Sequence, residues 1–197
     1  MNDRVWVERL QRLAPLPDRD RKEVGRAFHQ LALGFNHRQR RQYRAAEKAH
    51  RAALAILRKT LGEHHPETAR ACVQVAFNLK AQGKYAPAQT LYEKALAIRK
   101  KMLGEEHPDT AGSYNNVAAN LEAQGRYAQA QPLFEKALAI HKKMLGEEHP
   151  ETARGYNHLA RNLEDQGRSA EAQALVEKAL AIWKKVRGEE HPDTARG

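Results

Sequence analysis

The sequence of 197 residues has one cysteine, Cys72, few aromatic residues and no long apolar run. A single cysteine excludes an internal disulfide framework and zinc sites built on several cysteines, and it is typical of a reducing compartment. No segment approaches the roughly 18 apolar residues of a membrane span. The first 20 residues mix acids with arginines, which differs from a secretory signal. We therefore expect a soluble, cytoplasmic protein.

Patterns that carry catalysis or hold cofactors are also missing. Serine occurs only at Ser113 and Ser169, and neither lies in the Gly-x-Ser-x-Gly turn that presents a nucleophile. No glycine-rich loop of the phosphate-binding type is found. We expect no enzyme activity, no cofactor and no metal.

Positive charge is concentrated in the first third of the chain. Residues 1–61 contain 15 Lys/Arg and 6 Asp/Glu, a net charge of +9, whereas residues 62–197 contain 19 and 18, a net charge of +1. The basic residues include Arg38, Arg40, Arg41, Arg44, Lys48, Arg51, Arg58 and Lys59. Either they form a solvated helix face, or they bind an acidic peptide, nucleic acid or an anionic surface.

A repeat of 42 residues organises the chain. Gly-Glu-Glu-His-Pro begins at Gly104, Gly146 and Gly188, and a variant begins at Gly62. Residues 104–145 and 146–187 are identical at 28 of 42 positions. The predicted boundaries are an N-terminal capping or leader segment 1–19, a divergent repeat 20–61, repeats 62–103, 104–145 and 146–187, and a truncated fifth repeat 188–197.

Each repeat is predicted to contain two helices. Pro108 suits the first position of a helix, where its missing N–H has no partner, and Gly125 suits the left-handed residue after the helix end. A second helix is expected from about Tyr127 to Gly146. Pro132 lies inside it, which predicts a kink or a later start.

The small and bulky residues of each repeat resemble those of the tetratricopeptide repeat. In one copy they are Tyr114, Val117, Ala118, Leu121, Ala130, Phe134 and Ala137, and in the next Tyr156, Leu159, Ala160, Leu163, Ala172, Val176 and Ala179. The 42-residue unit resembles the kinesin light chain subtype. This resemblance implies an all-α, right-handed superhelix of about four helix-turn-helix repeats. It also implies a non-catalytic protein-protein interaction scaffold that binds an extended peptide in a concave groove.

In such arrays the first helices line the groove, so the stripe beside the core stripe is the predicted binding surface. It contains Arg70, Val73, Gln74, Phe77, Lys80, Asn115, Asn116, Glu122, Arg154, Asn157, His158 and Arg161, and the first copy adds Phe28, Leu31, Phe35 and Arg38. Amide and cationic side chains suit an acidic or polar peptide. Val73 and Phe77 are expected to seat an apolar side chain.

Several alternatives remain open. The N-terminal segment either caps the first repeat, through a helix over residues 3–13, or occupies the groove. The last helix, Ala170–Val186 with Trp183, is expected to expose apolar surface, through which copies could self-associate end to end. Nucleic acid is ranked behind a peptide, because no recognition motif accompanies the basic first repeat. Val73 and Phe77 replace two positions of the family's chaperone-tail clamp, so a chaperone tail is not expected.

Other recurring residues are interpreted as structural. His64, His65, His107, His149 and His191 recur with the period, too far apart to share one metal, and are predicted to lie at helix starts. Cys72 is predicted to be a core residue. Glu105 and Glu106 are predicted to be solvated loop charges.

Overall fold

The computed structural model of the chain describes residues 16–187, which contain eight α-helices and no strand. The helices are α1 (Asp18–Gln39), α2 (Tyr43–Leu61), α3 (Pro66–Ala81), α4 (Tyr85–Leu103), α5 (Pro108–Glu122), α6 (Tyr127–Leu145), α7 (Pro150–Asp165) and α8 (Ser169–Arg187). The all-α, helix-turn-helix prediction is confirmed. None of the helices in this range is long and apolar enough to cross a membrane.

The sequence signals at helix starts act as predicted. Pro108 occupies the start of α5, and the Thr110 hydroxyl donates a hydrogen bond of 2.8 Å to the carbonyl of Gly104. The same bond joins Thr152 to Gly146 before α7, at 2.7 Å. The threonine side chains are fully buried, so water cannot replace these bonds. The bonds therefore fix the connection between consecutive helices.

The turns inside the repeats require a left-handed backbone. Gly83, Gly125 and Gly167 have φ values of 75°, 72° and 78°, which glycine adopts without steric cost. The turn between α1 and α2 differs, because Arg41 has φ 57°. It is the one non-glycine residue with positive φ among the described residues.

Pro132 does not delay the start of α6. The helix runs from Tyr127 to Leu145 with Pro132 inside, so the prediction of a late start is wrong. The single backbone bond lost at Pro132 lies near the first turn, and the remaining helix forms beyond it. The predicted kink stays a prediction.

The helices form two compact units. Unit 1 extends to Gly83, and unit 2 begins at Lys84. In unit 1, α2 packs against both α1 and α3. In unit 2, each helix from α4 to α8 packs against the next one, and α5 also contacts α7.

The predicted core stripe is buried. In α5, Tyr114, Val117, Ala118 and Leu121 are all at most 6% exposed, and the corresponding residues of α7 are at most 8% exposed. Cys72 is fully buried, which confirms it as a core residue. Burial raises the pKa of its thiol, so the less reactive thiol form is favoured over the thiolate.

Two apolar residues of the first copy's predicted stripe, Phe28 and Leu31, are buried, so they do not form an open surface. Trp183 of α8 is only 5% exposed, whereas Val186 of the same helix is 45% exposed. Self-association through this helix stays a prediction. The N-terminal helix over residues 3–13 and the fifth repeat lie outside the described residues.

Candidate functional site

Buried asparagines anchor one side of α5 and of α7 within unit 2. The Asn120 amide donates to the Tyr85 carbonyl at 3.0 Å and to Gln89 Oε1 at 2.7 Å. Asn162 donates to the Tyr127 carbonyl at 3.3 Å. Asn78 is equally buried. These residues were not predicted as anchors, although an asparagine that recurs every 42 positions is a detectable signal.

In unit 1, α1 and α3 together present a cation between two aromatic rings. The Arg38 guanidinium carbon lies 5.0 Å from the ring centroid of Phe35 and 4.8 Å from that of Phe77. Its Nη1 also donates to Gln74 Oε1 at 2.8 Å. We call these four residues the unit 1 face. Phe77 is 42% exposed, so the face offers an accessible aromatic surface beside a positive charge.

The other predicted site residues of unit 1 lie on α3. Arg70, Val73 and Lys80 are all partly buried. Arg70 Nη1 is buried and has no hydrogen-bond partner among the described residues. A buried donor of this kind needs an acceptor, which makes Arg70 a candidate contact for a bound carbonyl or carboxylate.

In unit 2, an ion pair joins the predicted site residues of α5 and α7. Arg161 donates to both carboxylate oxygens of Glu122, from Nη2 at 2.5 Å and from Nε at 3.3 Å. The Glu122 side chain is 10% exposed and that of Arg161 is 56% exposed. A carboxylate arriving from solvent must therefore compete with Glu122 for Arg161.

The remaining predicted residues of unit 2 differ in how they are held. Asn157 is exposed, whereas Asn115 and Asn116 are half-buried. The imidazole of His158 stacks on Phe134, with ring centroids 5.5 Å apart and planes 8° apart. The name unit 2 face is used for Asn115, Asn116, Glu122, Arg154, Asn157, His158 and Arg161. Its amides can donate to or accept from a peptide backbone.

Arg154 is also engaged locally. Its Nη1 donates to Glu151 Oε1 at 2.6 Å, and its side chain is 56% exposed. An exposed pair at this spacing contributes little free energy. Arg154 can therefore exchange partners when another anion approaches.

Of the recurring histidines, His65, His107 and His149 lie at helix starts, as predicted. The Nδ1 atoms of His65, His107 and His149 each accept a hydrogen bond of 3.1 Å from the backbone N–H two residues later. This accepting role requires the neutral ring. Burial lowers the pKa of His65, which favours that form. No group of three metal-ligating residues occurs in residues 16–187.

Glu105 and Glu106 lie in the connection between α4 and α5, as predicted, and both also form ion pairs there. Glu105 is only partly exposed, forms ion pairs with Lys100 and Lys136, and accepts a hydrogen bond from the Tyr114 hydroxyl. Glu106 pairs with Lys143 at 2.5 Å. The pattern missed these contacts because the partners lie on three different helices, Lys100 on α4, Tyr114 on α5, and Lys136 and Lys143 on α6.

The family of the chain follows from comparison with known proteins. The tetratricopeptide repeat profile matches residues 24–101, 70–143, 109–182 and 151–196, which together cover most of the sequence. The chain belongs to the tetratricopeptide repeat family. A search of curated proteins finds no match.

Solved structures of other tetratricopeptide-like proteins resemble this one. One consists of nearly identical TPR-like repeats from a Podosopora anserina protein described as a kinesin light chain. It is 31% identical, with a TM-score of 0.75, and the match covers 88% of this chain and 82% of that one. The predicted similarity to kinesin light chain repeats is thereby confirmed.

Two further solved structures are similar to this chain in fold alone. BtubC from P. vanneervenii is 23% identical, with a TM-score of 0.76 over 96% of this chain and 74% of that one. The apo form of RapI is 22% identical, with a TM-score of 0.72 over 89% of this chain and 60% of that one. The repeat architecture is thus shared by proteins of very different sequence.

Proposed function

We propose that this tetratricopeptide repeat protein is a non-catalytic, cytoplasmic interaction module that binds an extended, acidic or polar peptide on the first-helix faces of its units. Proteins of this family generally act as interaction scaffolds. The observation that carries the proposal is Phe77. It is 42% exposed on α3 while Val75 and Leu79, two positions away on either side, are at most 2% exposed.

An exposed aromatic ring gains free energy when a partner covers it. Burial of apolar surface contributes about 25 cal/mol per Å², and aromatic side chains are common anchors of interfaces. Arg38 stands beside Phe77. Ring stacking uses the faces of its guanidinium, whereas a carboxylate binds at the edge. An aromatic or apolar residue next to an acid is therefore the peptide feature that the unit 1 face fits.

The unit 2 face supports binding of the peptide backbone. Asn115 and Asn157 lie on α5 and α7, respectively, and each side chain offers both a donor and an acceptor. The Glu122–Arg161 pair adds one charge of each sign. This combination suits polar peptides of mixed sequence and supplies less of an apolar anchor than Phe77 does.

The test is peptide binding measured by fluorescence anisotropy. The probe is a labelled peptide with one tryptophan among aspartates and glutamates, compared with the same peptide carrying alanine for tryptophan. Phe77→Ala should weaken binding of the first peptide about 10-fold or more, as loss of an interface anchor does. The matched control is Met144→Ala, since Met144 is 50% exposed on α6, which is the second helix of its repeat and not part of the proposed binding surface.

The unit 2 face is tested by Asn115→Ala combined with Asn157→Ala. This change should weaken peptide binding while the melting temperature stays nearly constant, because neither side chain is fully buried. Equal affinity of wild type and Phe77→Ala, or a larger loss from Met144→Ala, would contradict the proposed location.

A further inference from the structure

The turn between α1 and α2 carries arginines at three positions where no other copy has a cation. These are Arg40, Arg41 and Arg44. In the later copies the corresponding residues are Gln82, Gln124 and Gln166, then Gly83, Gly125 and Gly167, then Ala86, Ala128 and Ala170. The turn is otherwise built like the others, so these arginines are an addition to a structure that forms without them.

Arg41 occupies the position that favours glycine most strongly. Its φ is 57°, close to the 72° to 78° of the three glycines that occupy this position in later copies. A side chain is disfavoured there because its Cβ crowds the backbone. Selection for folding alone would retain glycine. A residue held in an unfavourable backbone region points to a use for its side chain.

The cations of this turn are exposed and unpaired. Arg40, Arg41, Arg44 and Lys48 are all exposed, and none forms an ion pair within residues 16–187. The nearest acid on α2, Glu47, pairs with Arg51 at 2.8 Å. In unit 2, by contrast, Glu105, Glu106 and Glu148 each pair with lysines. The α1–α2 turn thus concentrates uncompensated positive charge.

We propose that the α1–α2 turn, with Arg40, Arg41, Arg44 and Lys48, binds the phosphate backbone of nucleic acid without reading its sequence. Guanidinium groups match phosphate oxygens with two parallel hydrogen bonds. Arg44 and Lys48 are one helical turn apart on α2, so they extend the positive surface along the helix. This site is independent of the proposed peptide-binding function.

The surroundings favour nucleic acid over a membrane or an acidic protein. No large hydrophobic residue is exposed between Arg40 and Leu61, whereas a helix that lies on a bilayer buries an apolar face. Protein interfaces likewise depend on buried aromatic or aliphatic anchors, and the turn presents none. Phosphate contacts require only accessible cations, and they supply most of sequence-independent binding to nucleic acid.

The decisive variant restores the residues of the other copies: Arg40→Gln, Arg41→Gly and Arg44→Ala together. Binding of a short labelled DNA duplex of arbitrary sequence is measured by fluorescence anisotropy between about 50 and 200 mM salt. The wild type should bind the duplex, and the logarithm of its affinity should fall linearly with the logarithm of salt concentration. The triple variant should bind more weakly, with a slope reduced by about 2.7, since each phosphate contact contributes about 0.9.

Two controls separate the site from folding and from net charge. Arg41→Gly alone should weaken duplex binding while raising the melting temperature by about 2–4 °C, because glycine suits the left-handed backbone. Lys101→Gln, Arg126→Gln and Lys184→Gln together remove the same charge from exposed positions of unit 2. That variant should retain the wild-type slope.

Three results would overturn the proposal. Equal slopes for the triple variant and the wild type would mean that these arginines do not contact phosphate. Equal losses in the triple variant and the unit 2 control would show that net charge alone acts. Binding to phosphatidylserine vesicles or to polyglutamate, without binding to the duplex, would assign the turn to a membrane or an acidic protein instead.

Discussion

One buried position of the repeat is filled by a polar residue in unit 1 and by an apolar residue in unit 2. In unit 1, His50 is 1% exposed and takes part in hydrogen bonds with the Leu31 carbonyl at 3.3 Å and the Asn78 amide at 2.6 Å. The corresponding residue of the third copy is Phe134, which is fully buried and stacks on His158. The repeat therefore specifies where a large side chain goes without specifying its chemistry.

The polar arrangement also changes the small residue at the helix crossing. Gly34 lies where the later copies have Ala76, Ala118 and Ala160, all of them buried. A Cβ at Gly34 would overlap the imidazole of His50. Glycine is thus required at this crossing because the His50 ring of α2 occupies the space of a side chain. The backbone conformation of Gly34 does not itself require glycine. The same crossing of the repeat therefore tolerates alanine in the later copies but not in the first.

The largest expected effect is that of Gly34→Ala. The new methyl group forces His50 away from Leu31 and Asn78, so the variant should lose about 2–3 kcal/mol of unfolding free energy through overpacking and lost hydrogen bonds. Denaturant unfolding measures this change. Gly112→Ala in α5 is the matched control, because nothing lies within 4 Å of its added Cβ. It should stabilise the protein by about 0.5–1 kcal/mol.

A double variant shows whether the ring is the cause. His50→Ala removes the atoms that the methyl group of Gly34→Ala would meet, so the two changes together should cost less than the sum of their separate effects. Strict additivity would mean that Gly34 is needed for another reason. The contrast between the two units would then lose its physical basis.

The second prediction concerns pH. The pKa of His50 is lowered, chiefly by burial and further by the charge of Arg38, although backbone carbonyls of Leu31 and Gln74 partly oppose this shift. Unfolding exposes a ring with the ordinary value of 6.5, so the unfolded state binds more protons. The contribution of neutral His50 to the free energy of unfolding should be fully present above pH 6.5. It should decrease as the pH falls below 6.5, by up to about 1.4 kcal/mol per pH unit for one proton.

The measurement is unfolding free energy against pH for the wild type and for His50→Gln. The variant should show a shallower acid slope. His141 of unit 2 is also buried with a lowered pKa, mainly because of burial, so His141→Gln isolates the second contribution. An NMR titration that gives His50 a pKa at or above 6.5 would contradict the assignment of a neutral ring.

The repeat period predicted most of the fold but only part of these contacts. Helix starts, the buried stripe of α5 and the exposure of Phe77 follow from spacing, since a side chain's face on a helix depends on its position. The buried role of His50 did not follow, because histidine is polar and its partner Asn78 is 28 residues away. The same limit applies to Glu122–Arg161, whose members are separated by 39 residues.

The smallest expected effect concerns a charged cluster of unit 2 that is built around a tyrosine. The Tyr114 hydroxyl donates to Glu105, and the Lys136 ammonium lies 4.9 Å from the Tyr114 ring centroid. Unit 1 has Cys72 at the position of Tyr114. Hydrogen bonds from Lys136, Tyr114 and Lys100, in that order, lower the pKa of Glu105 to about 2.

Glu105→Gln should therefore destabilise the protein only slightly, by less than about 1 kcal/mol, because solvent screens exposed ion pairs. The contribution of Glu105 is present above its ordinary pKa of 4.5 and is lost as the pH falls towards about 2. The difference between variant and wild type should accordingly vanish in acid and shrink with added salt. Glu164→Gln, an exposed carboxylate on α7, is the control and should change neither dependence. A loss of stability that does not depend on salt would mean that Glu105 acts through the packing of Tyr114. Cys72 packs at the same position in unit 1, so charge would then not distinguish the two units.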